Sequence, residues 1–207
     1  MTKKDQLTNL NEVMEGDTSL PLRKGATRLV FGVGATDADI LCIGEGPGYW
    51  EDQKGEPFVG NAGKLLDQLL VSIGLDRTKV YITNIVHHRP PGNRDPLPEE
   101  ISAYGAYLDK IIAILEPKVI LTLGRYSMAK FLPNARISSV HGKSFGVTWQ
   151  GRAITVVPMY HPAAALRNGE VMYQEKQDFL KLPEILKNST RIESDSKEKD
   201  VEQMTLV

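Results

Sequence analysis

Short apolar runs alternate with amphipathic segments along this chain, and that alternation constrains its fold more than any other feature. Residues 38–43 (ADILCI), 80–85 (VYITNI), 118–123 (KVILTL) and 153–158 (AITVVP) have the length and β-branched content of buried strands. Between them lie helical patterns. Leu65, Leu66, Leu69, Leu70 and Ile73 share one face and stop at Gly74. Ile101, Tyr104, Leu108, Ile111, Ile112 and Leu115 share another. A short helix is expected from about 125 to 132 and a last one from about 173 to 186. Strand–helix alternation predicts an α/β protein: a three-layer α/β/α sandwich around a central, four-stranded, mainly parallel sheet. At roughly 150 residues per domain, 207 residues make one domain with an appendage, placed here at 1–187 and 188–207. The 1–28 segment reads as a short helix or turn on the domain edge, and the charged, serine-containing end as a disordered tail.

In open α/β sheets ligands bind beyond the carboxyl ends of the strands. The unusual segments of this chain all fall there: GEGPGYWED (44–52), NIVHHRPPGNRDP (84–96), GRYS (124–127) and MYHPAAALRN (159–168). Gly44, Gly46 and Gly48 suit a backbone that approaches a ligand closely. They do not form a dinucleotide fingerprint, because Tyr49 stands where a glycine is needed, and no lysine–hydroxyl pair completes a P-loop. Glu45, Glu51 and Asp52 put carboxylates in this turn, where they could steady a cation or a water. Asn84 offers a donor and an acceptor, and His161 an imidazole, at the expected cleft. Arg89, Arg94, Lys143, Arg152 and Arg167 are phosphate partners if their loops share a face.

Composition narrows the classes. Twenty-five basic and 26 acidic residues leave a net charge of −1, which argues against a histone-like protein that blankets DNA with positive charge and leaves room for a local basic groove. No apolar run approaches the roughly 20 residues of a membrane span. The N-terminus lacks the apolar region of a signal peptide, so a cytoplasmic, nucleoid-associated protein is expected. The single cysteine, Cys42, cannot form an internal disulfide or hold a cluster that needs several thiolates of this chain.

Taken together, residues 44–70, 81–100, 119–125 and 161–168 resemble the uracil-DNA glycosylase superfamily, most closely its type-4 branch, over about residues 17–187. The resemblance implies cleavage of the N-glycosidic bond of deoxyuridine flipped out of DNA, leaving an abasic site, the first step of base excision repair. It implies that Phe58 stacks on the uracil and that Asn84 pairs with its O4 and N3 edge, accepting cytosine poorly. Glu51 sits where a bulky residue blocks the thymine methyl. His161 would hydrogen-bond O2 as negative charge develops there. Gly44, Gly46 and Gly48 would shape the pocket, and Leu166 and Arg167 would form a wedge and clamp. In the best-known branch an aspartate follows Glu45 and positions water; here that place is Gly46, which leaves Glu45 to orient water or stabilise the sugar cation. Arg89, Arg94 and Lys143 would contact DNA.

The chain departs from the branch at its iron–sulfur cluster. Two of the four family cysteines would fall near Asp17 and Leu20, and His88 and Tyr104 occupy the other two positions. Cys42 lies inside a strand. No cofactor is therefore expected, and the adjacent pair His87–His88 lacks the further ligands a metal needs. His141 stands where related chains commonly carry arginine. No basic insertion follows Asn84, so covalent capture of DNA is not expected. The terminal QMTLV, with Gln203, Met204, Leu206 and Val207 as anchors, is similar to the sliding-clamp-binding peptides of bacterial replication proteins. A monomer is expected. Two rival readings remain: a non-catalytic uracil- or single-strand-binding replication accessory of the same fold, and a small-molecule nucleoside hydrolase.

Overall fold

The computed structural model describes the backbone of residues 1–204 and the side chains of residues 1–189. The elements follow in the order α1 (Lys3–Gly16), β1 (Val33–Gly34), β2 (Ile40–Gly44), α2 (Tyr49–Lys54), α3 (Asn61–Ser72), β3 (Tyr81–Asn84), α4 (Pro98–Leu115), β4 (Val119–Leu123), α5 (Arg125–Ala129), α6 (Ile137–Val140), β5 (Phe145–Trp149), β6 (Arg152–Met159), α7 (Pro162–Ala165) and α8 (Gly169–Met204).

The expected sheet is present and larger than expected. Strands β3, β2, β4 and β6 pair in parallel, in the register Gly44↔Asn84 and Ile43↔Thr122. Antiparallel edge strands β1 and β5 extend it to six, in the order β1-β3-β2-β4-β6-β5. The sequence concealed both edges for physical reasons. Strand β1 is two residues long. Strand β5 joins β6 through the two-residue turn Gln150–Gly151, both at positive φ (48° and 81°), which is the hairpin geometry usually marked by Asn-Gly.

Strands β2 and β4 are buried along their whole length because helices cover both faces. One face packs against α1 and α4 through Leu7, Leu10, Met14, Leu108 and Ile111. The other packs against α3 and α8 through Leu65, Leu66, Leu69, Phe179 and Leu182. Helix α1 opens with a capping box, in which the Thr2 side chain accepts from Asp5 N and the Asp5 carboxylate accepts from Thr2 N. Helix α4 starts at Pro98, and Glu100 caps it by accepting from Leu97 N.

Helix α8 is longer than the sequence pattern suggested. Its backbone continues to Met204 across the segment expected to be a disordered tail, a Lys- and Glu-rich stretch with good helix propensity. The clamp-like peptide lies outside what can be described: the side chains of Gln203 and Met204, and all of Leu206 and Val207. Among the described residues, no helix is long and apolar enough to cross a membrane.

Candidate active site

The carboxyl ends of β2, β3, β4 and β6 open into one cleft of about 600 Å³. Glu45, Gly46, Gly48, Glu51, Phe58, Asn84, Arg94, Gly124, His161 and Arg167 all line it. Four loops scattered over 120 residues of sequence thus meet where the strand topology required.

Asn84 ends β3 and is almost wholly buried. Its Nδ2 has no hydrogen-bond partner in the protein. A buried, unpaired amide donor is costly and rare. Gly44, its register partner, makes the arrangement fit: a Cβ there would stand 2.4 Å from Asn84 Oδ1 and 2.6 Å from the Phe58 ring.

Phe58 is held in an uncommon conformation, with φ of 53°, and is buried. Two clamps hold it. The Glu51 Oε1 atom accepts from Val59 N at 2.9 Å and Gly60 N at 2.8 Å. From the other side Arg77 donates to the Phe58 carbonyl at 3.0 Å, to the Pro57 carbonyl, and to Asp67 at 3.0 Å. Gly63 lets the loop approach α3, since a Cβ there would collide with the Phe58 carbonyl.

His161 stacks on Phe58, with ring centroids 5.6 Å apart and planes 27° from parallel. It is also the N-cap of α7: its Nδ1 accepts from Ala163 N at 3.1 Å. An acceptor Nδ1 on a neutral ring requires the proton on Nε2. Burial, reinforced by the Arg167 charge, lowers the His161 pKa to about 4, so the ring is neutral at physiological pH. Behind it, Glu175 Oε2 accepts from Tyr160 N at 3.0 Å. Burial raises the Glu175 pKa to about 8.

Glu45 follows β2 and faces the start of α5, where its Oε1 accepts from Tyr126 N at 3.0 Å. A Cβ on Gly124 would stand 2.3 Å from that oxygen. Burial raises the Glu45 pKa, opposed by the Tyr126 hydrogen bond. At Gly46, a Cβ would stand 2.9 Å from Val86 Cγ2, so this turn has little room for a larger residue.

The expected cations divide into four groups. Arg167, which donates to the Ala163 carbonyl, sits on the rim beside the exposed Leu166. Arg89 and Lys143 lie outside the cleft lining, Arg89 hydrogen-bonded to Asn93 and Lys143 to the Ser139 carbonyl. Arg94 lines the cleft but grips Glu100 with both terminal nitrogens, at 2.8 and 2.6 Å. Arg152 does not join them. It begins β6, at the opposite end of the sheet, and pairs with Glu116 at 2.7 Å. His141 is engaged with buried Asp178, Nδ1 to Oδ2 being 2.5 Å, and packs on the Tyr160 ring.

Arg77, Arg125, Tyr160 and Glu175 bear on the site without having been singled out in the sequence. Arg125 stacks on Tyr126 and pairs with Asp95 at 2.5 Å.

The region of the expected cluster positions is densely packed. His88 Nδ1 shares a 2.8 Å hydrogen bond with the Tyr104 hydroxyl, both groups buried. Tyr107 donates to Asp17 at 2.7 Å, and Leu20 and Leu22 are buried beside them. His87 stacks near Phe31 and Tyr104. Thr83 gives its hydroxyl proton to the Phe31 carbonyl, so His87 Nε2 donates to Thr83. These residues do not fit an iron–sulfur cluster, because they supply no thiolate. Cys42 lies buried within β2, its thiol pKa pushed up to about 12. Among the described residues, no group of three His, Cys, Asp or Glu side chains is placed to hold a metal.

An unpaired amide, a stacked aromatic–imidazole pair and a carboxylate thus meet at one edge of an α/β sandwich. A family profile for the uracil DNA glycosylase superfamily matches residues 31–186. The type-4 uracil-DNA glycosylase of Archaeoglobus fulgidus is 46% identical over 170 residues, covering 79% of this chain and 85% of that one. The type-4 enzyme of Sulfurisphaera tokodaii is 43% identical over 187 residues, covering 87% and 85%. A DNA polymerase of Bacillus phage SP01 is 34% identical over 156 residues, covering 75% of this chain and 16% of the polymerase. The chain belongs to the uracil-DNA glycosylase superfamily.

Proposed function

We propose that this cleft excises uracil from DNA, as a monofunctional DNA N-glycosylase acting in base excision repair. One observation carries the reading: the buried amide of Asn84 has an unpaired donor. It lies at the floor of a cleft also lined by the stacked pair Phe58 and His161. A flipped uracil answers each feature. Its ring stacks on Phe58, its O4 accepts from Asn84 Nδ2, and its N3–H donates to Oδ1. Cytosine reverses that edge and meets a donor with a donor.

The bond from C1′ to N1 breaks with its electron pair moving into the base. Negative charge gathers on O2, where the Nε2–H of neutral His161 donates. A neutral donor serves here, because it stabilises the uracil anion without first giving up its proton. Water adds to C1′, and the Glu45 carboxylate orients it and takes its proton. Glu51 and Gly48 wall the side where thymine carries its methyl, while Gly44 and Gly46 let the backbone close in. Leu166 and Arg167 enter the space the base vacates, and Arg89, Arg94 and Lys143 face the phosphates.

The reaction as written needs no metal or cluster. The His88–Tyr104 pair supports the view that protein groups hold the loop that thiolates and iron would otherwise tie. We further propose a cytoplasmic, nucleoid-associated monomer. Its catalytic domain spans 1–187, and its tail, through Gln203, Met204, Leu206 and Val207, engages a sliding clamp. The similarity to a segment of a phage DNA polymerase fits work beside replicating DNA.

A labelled oligonucleotide with one uracil, treated with alkali after incubation, tests the reading. Cleavage at the uracil, and none at cytosine or thymine, is expected. Binding without cleavage would instead support a non-catalytic accessory, and release of uracil from free deoxyuridine alone a nucleoside hydrolase.

A further inference from the structure

Tyr49 and Trp50 open α2 on the rim of the cleft, between Gly48 and Glu51, which both line it. Here Tyr49 is 49% and Trp50 58% exposed. The two rings meet edge to face, with centroids 5.1 Å apart. The Arg89 guanidinium lies over the Tyr49 ring at 5.2 Å and is further fixed by its 2.6 Å hydrogen bond to Asn93. Trp50 also borders the Phe58 loop: a Cβ on Gly60 would stand 3.6 Å from Trp50 Cδ1 and 3.3 Å from Glu51 Oε1. The rings are therefore ordered by their neighbours, continuous with the cleft, and backed by a positive charge.

We infer that Tyr49 and Trp50 form a stacking platform for an unpaired nucleobase next to the flipped uracil, with Arg89 meeting the adjoining phosphate. The inference rests on the reading of the cleft as a DNA site and extends it to strand preference. A base inside a duplex has both faces covered by its neighbours, so an aromatic side chain can stack on it only after it is unstacked. In a single strand the faces are free, and stacking tolerates any base. An apolar protein surface fits this patch less well, because a guanidinium on the platform would lose its water without gaining a partner, whereas a phosphate supplies one.

Trp50 is its own reporter. Titrating the full chain with single-stranded oligothymidylate, which contains no uracil, is expected to quench tryptophan fluorescence. Trp50→Phe should abolish most of the quench while keeping most of the affinity. Trp50→Leu, equally apolar but not aromatic, should weaken single-strand binding about 5- to 100-fold. Affinity for a uracil-free duplex should fall by much less. Arg89→Gln should weaken single-strand binding and reduce its salt dependence. Equal losses on single strand and duplex, or an unquenched Trp50, overturn the platform. Because the probe lacks uracil, the result stands apart from whether the protein releases uracil at all.

Discussion

The guanidinium of Arg77 lies 3.0 Å from the carbonyl oxygen of Phe58 and also holds the carbonyl of Pro57. It secures a loop whose central residue sits at positive φ. The Phe58 ring, proposed to stack on the base, has its backbone gripped by Arg77 on one side and Glu51 on the other.

Arg77→Met should therefore raise KM for a uracil oligonucleotide several-fold and lower stability by about 1–3 kcal/mol, as charged hydrogen bonds to two carbonyls are lost. If Arg77 acts through the ring, the kinetic losses of Arg77→Met and Phe58→Leu should not add. Additive kinetic losses would show that Arg77 acts elsewhere.

Glu45→Gln should cut kcat by about 10²- to 10⁴-fold with little change in KM, since the amide cannot take a proton from water. The acid limb of the pH–rate profile should belong to the same group. Burial raises the Glu45 pKa above the ordinary carboxylate value, so the active carboxylate is lost earlier as pH falls. An unchanged rate in the Gln variant removes Glu45 from the mechanism.

His161→Phe keeps a ring against Phe58 but removes both the Nε2 donor and the cap of α7. Activity should drop about 10²- to 10³-fold and stability by about 1 kcal/mol. Thermal melting and single-turnover assays separate the two losses.

Stability should have opposing pH slopes. His87, His88 and His161 have pKa values lowered by burial to about 3, 4 and 4. The folded state holds them neutral while the unfolded chain takes up protons below its ordinary value near 6.5. Their contribution is complete above that pH and is lost as pH falls toward 4, by up to about 4 kcal/mol per pH unit where all three titrate together. Glu175 works the other way. Its folded pKa of about 8 lies above the unfolded value near 4.5, so it erodes stability as pH rises between them. Glu175→Gln should raise the Tm at pH 8 and leave it nearly unchanged at pH 4. A uniform shift would rule out the titration.

Tyr104→Phe removes one hydroxyl and leaves buried His88 Nδ1 without its partner, at a cost of about 1–3 kcal/mol. The purified protein should carry no stoichiometric iron, and chelators should leave its Tm unchanged. A brown protein that loses stability with its iron would refute the arrangement.

Much of the site was legible because chemistry and topology agreed. Asn84 ends a buried strand, Glu45 and His161 follow others, and the carboxyl ends of parallel strands must share an edge. Arg152 was misplaced by charge alone: it precedes its strand and so belongs at the opposite edge, paired with Glu116. Arg77 was invisible because two of its three partners are backbone carbonyls 19 and 20 residues away, which leave no trace in residue types. The second clamp, Glu51, was legible as a carboxylate near the pocket but not as a loop anchor, for the same reason. Edge strand β5 hid behind a Gln-Gly turn whose conformation, rather than its composition, makes the hairpin.

Gly44 and Asn84 are paired rungs of neighbouring central strands, buried under helices on both faces. Backbone amides in such strands exchange with solvent only when the whole molecule opens, whereas rim loops such as that of Leu166 and Arg167 open locally. On the proposed function, discrimination between bases would lie in this slow-exchanging core, and grip on the strand in the faster rim loops. Warming should loosen the hold on DNA well before it blurs the choice of base.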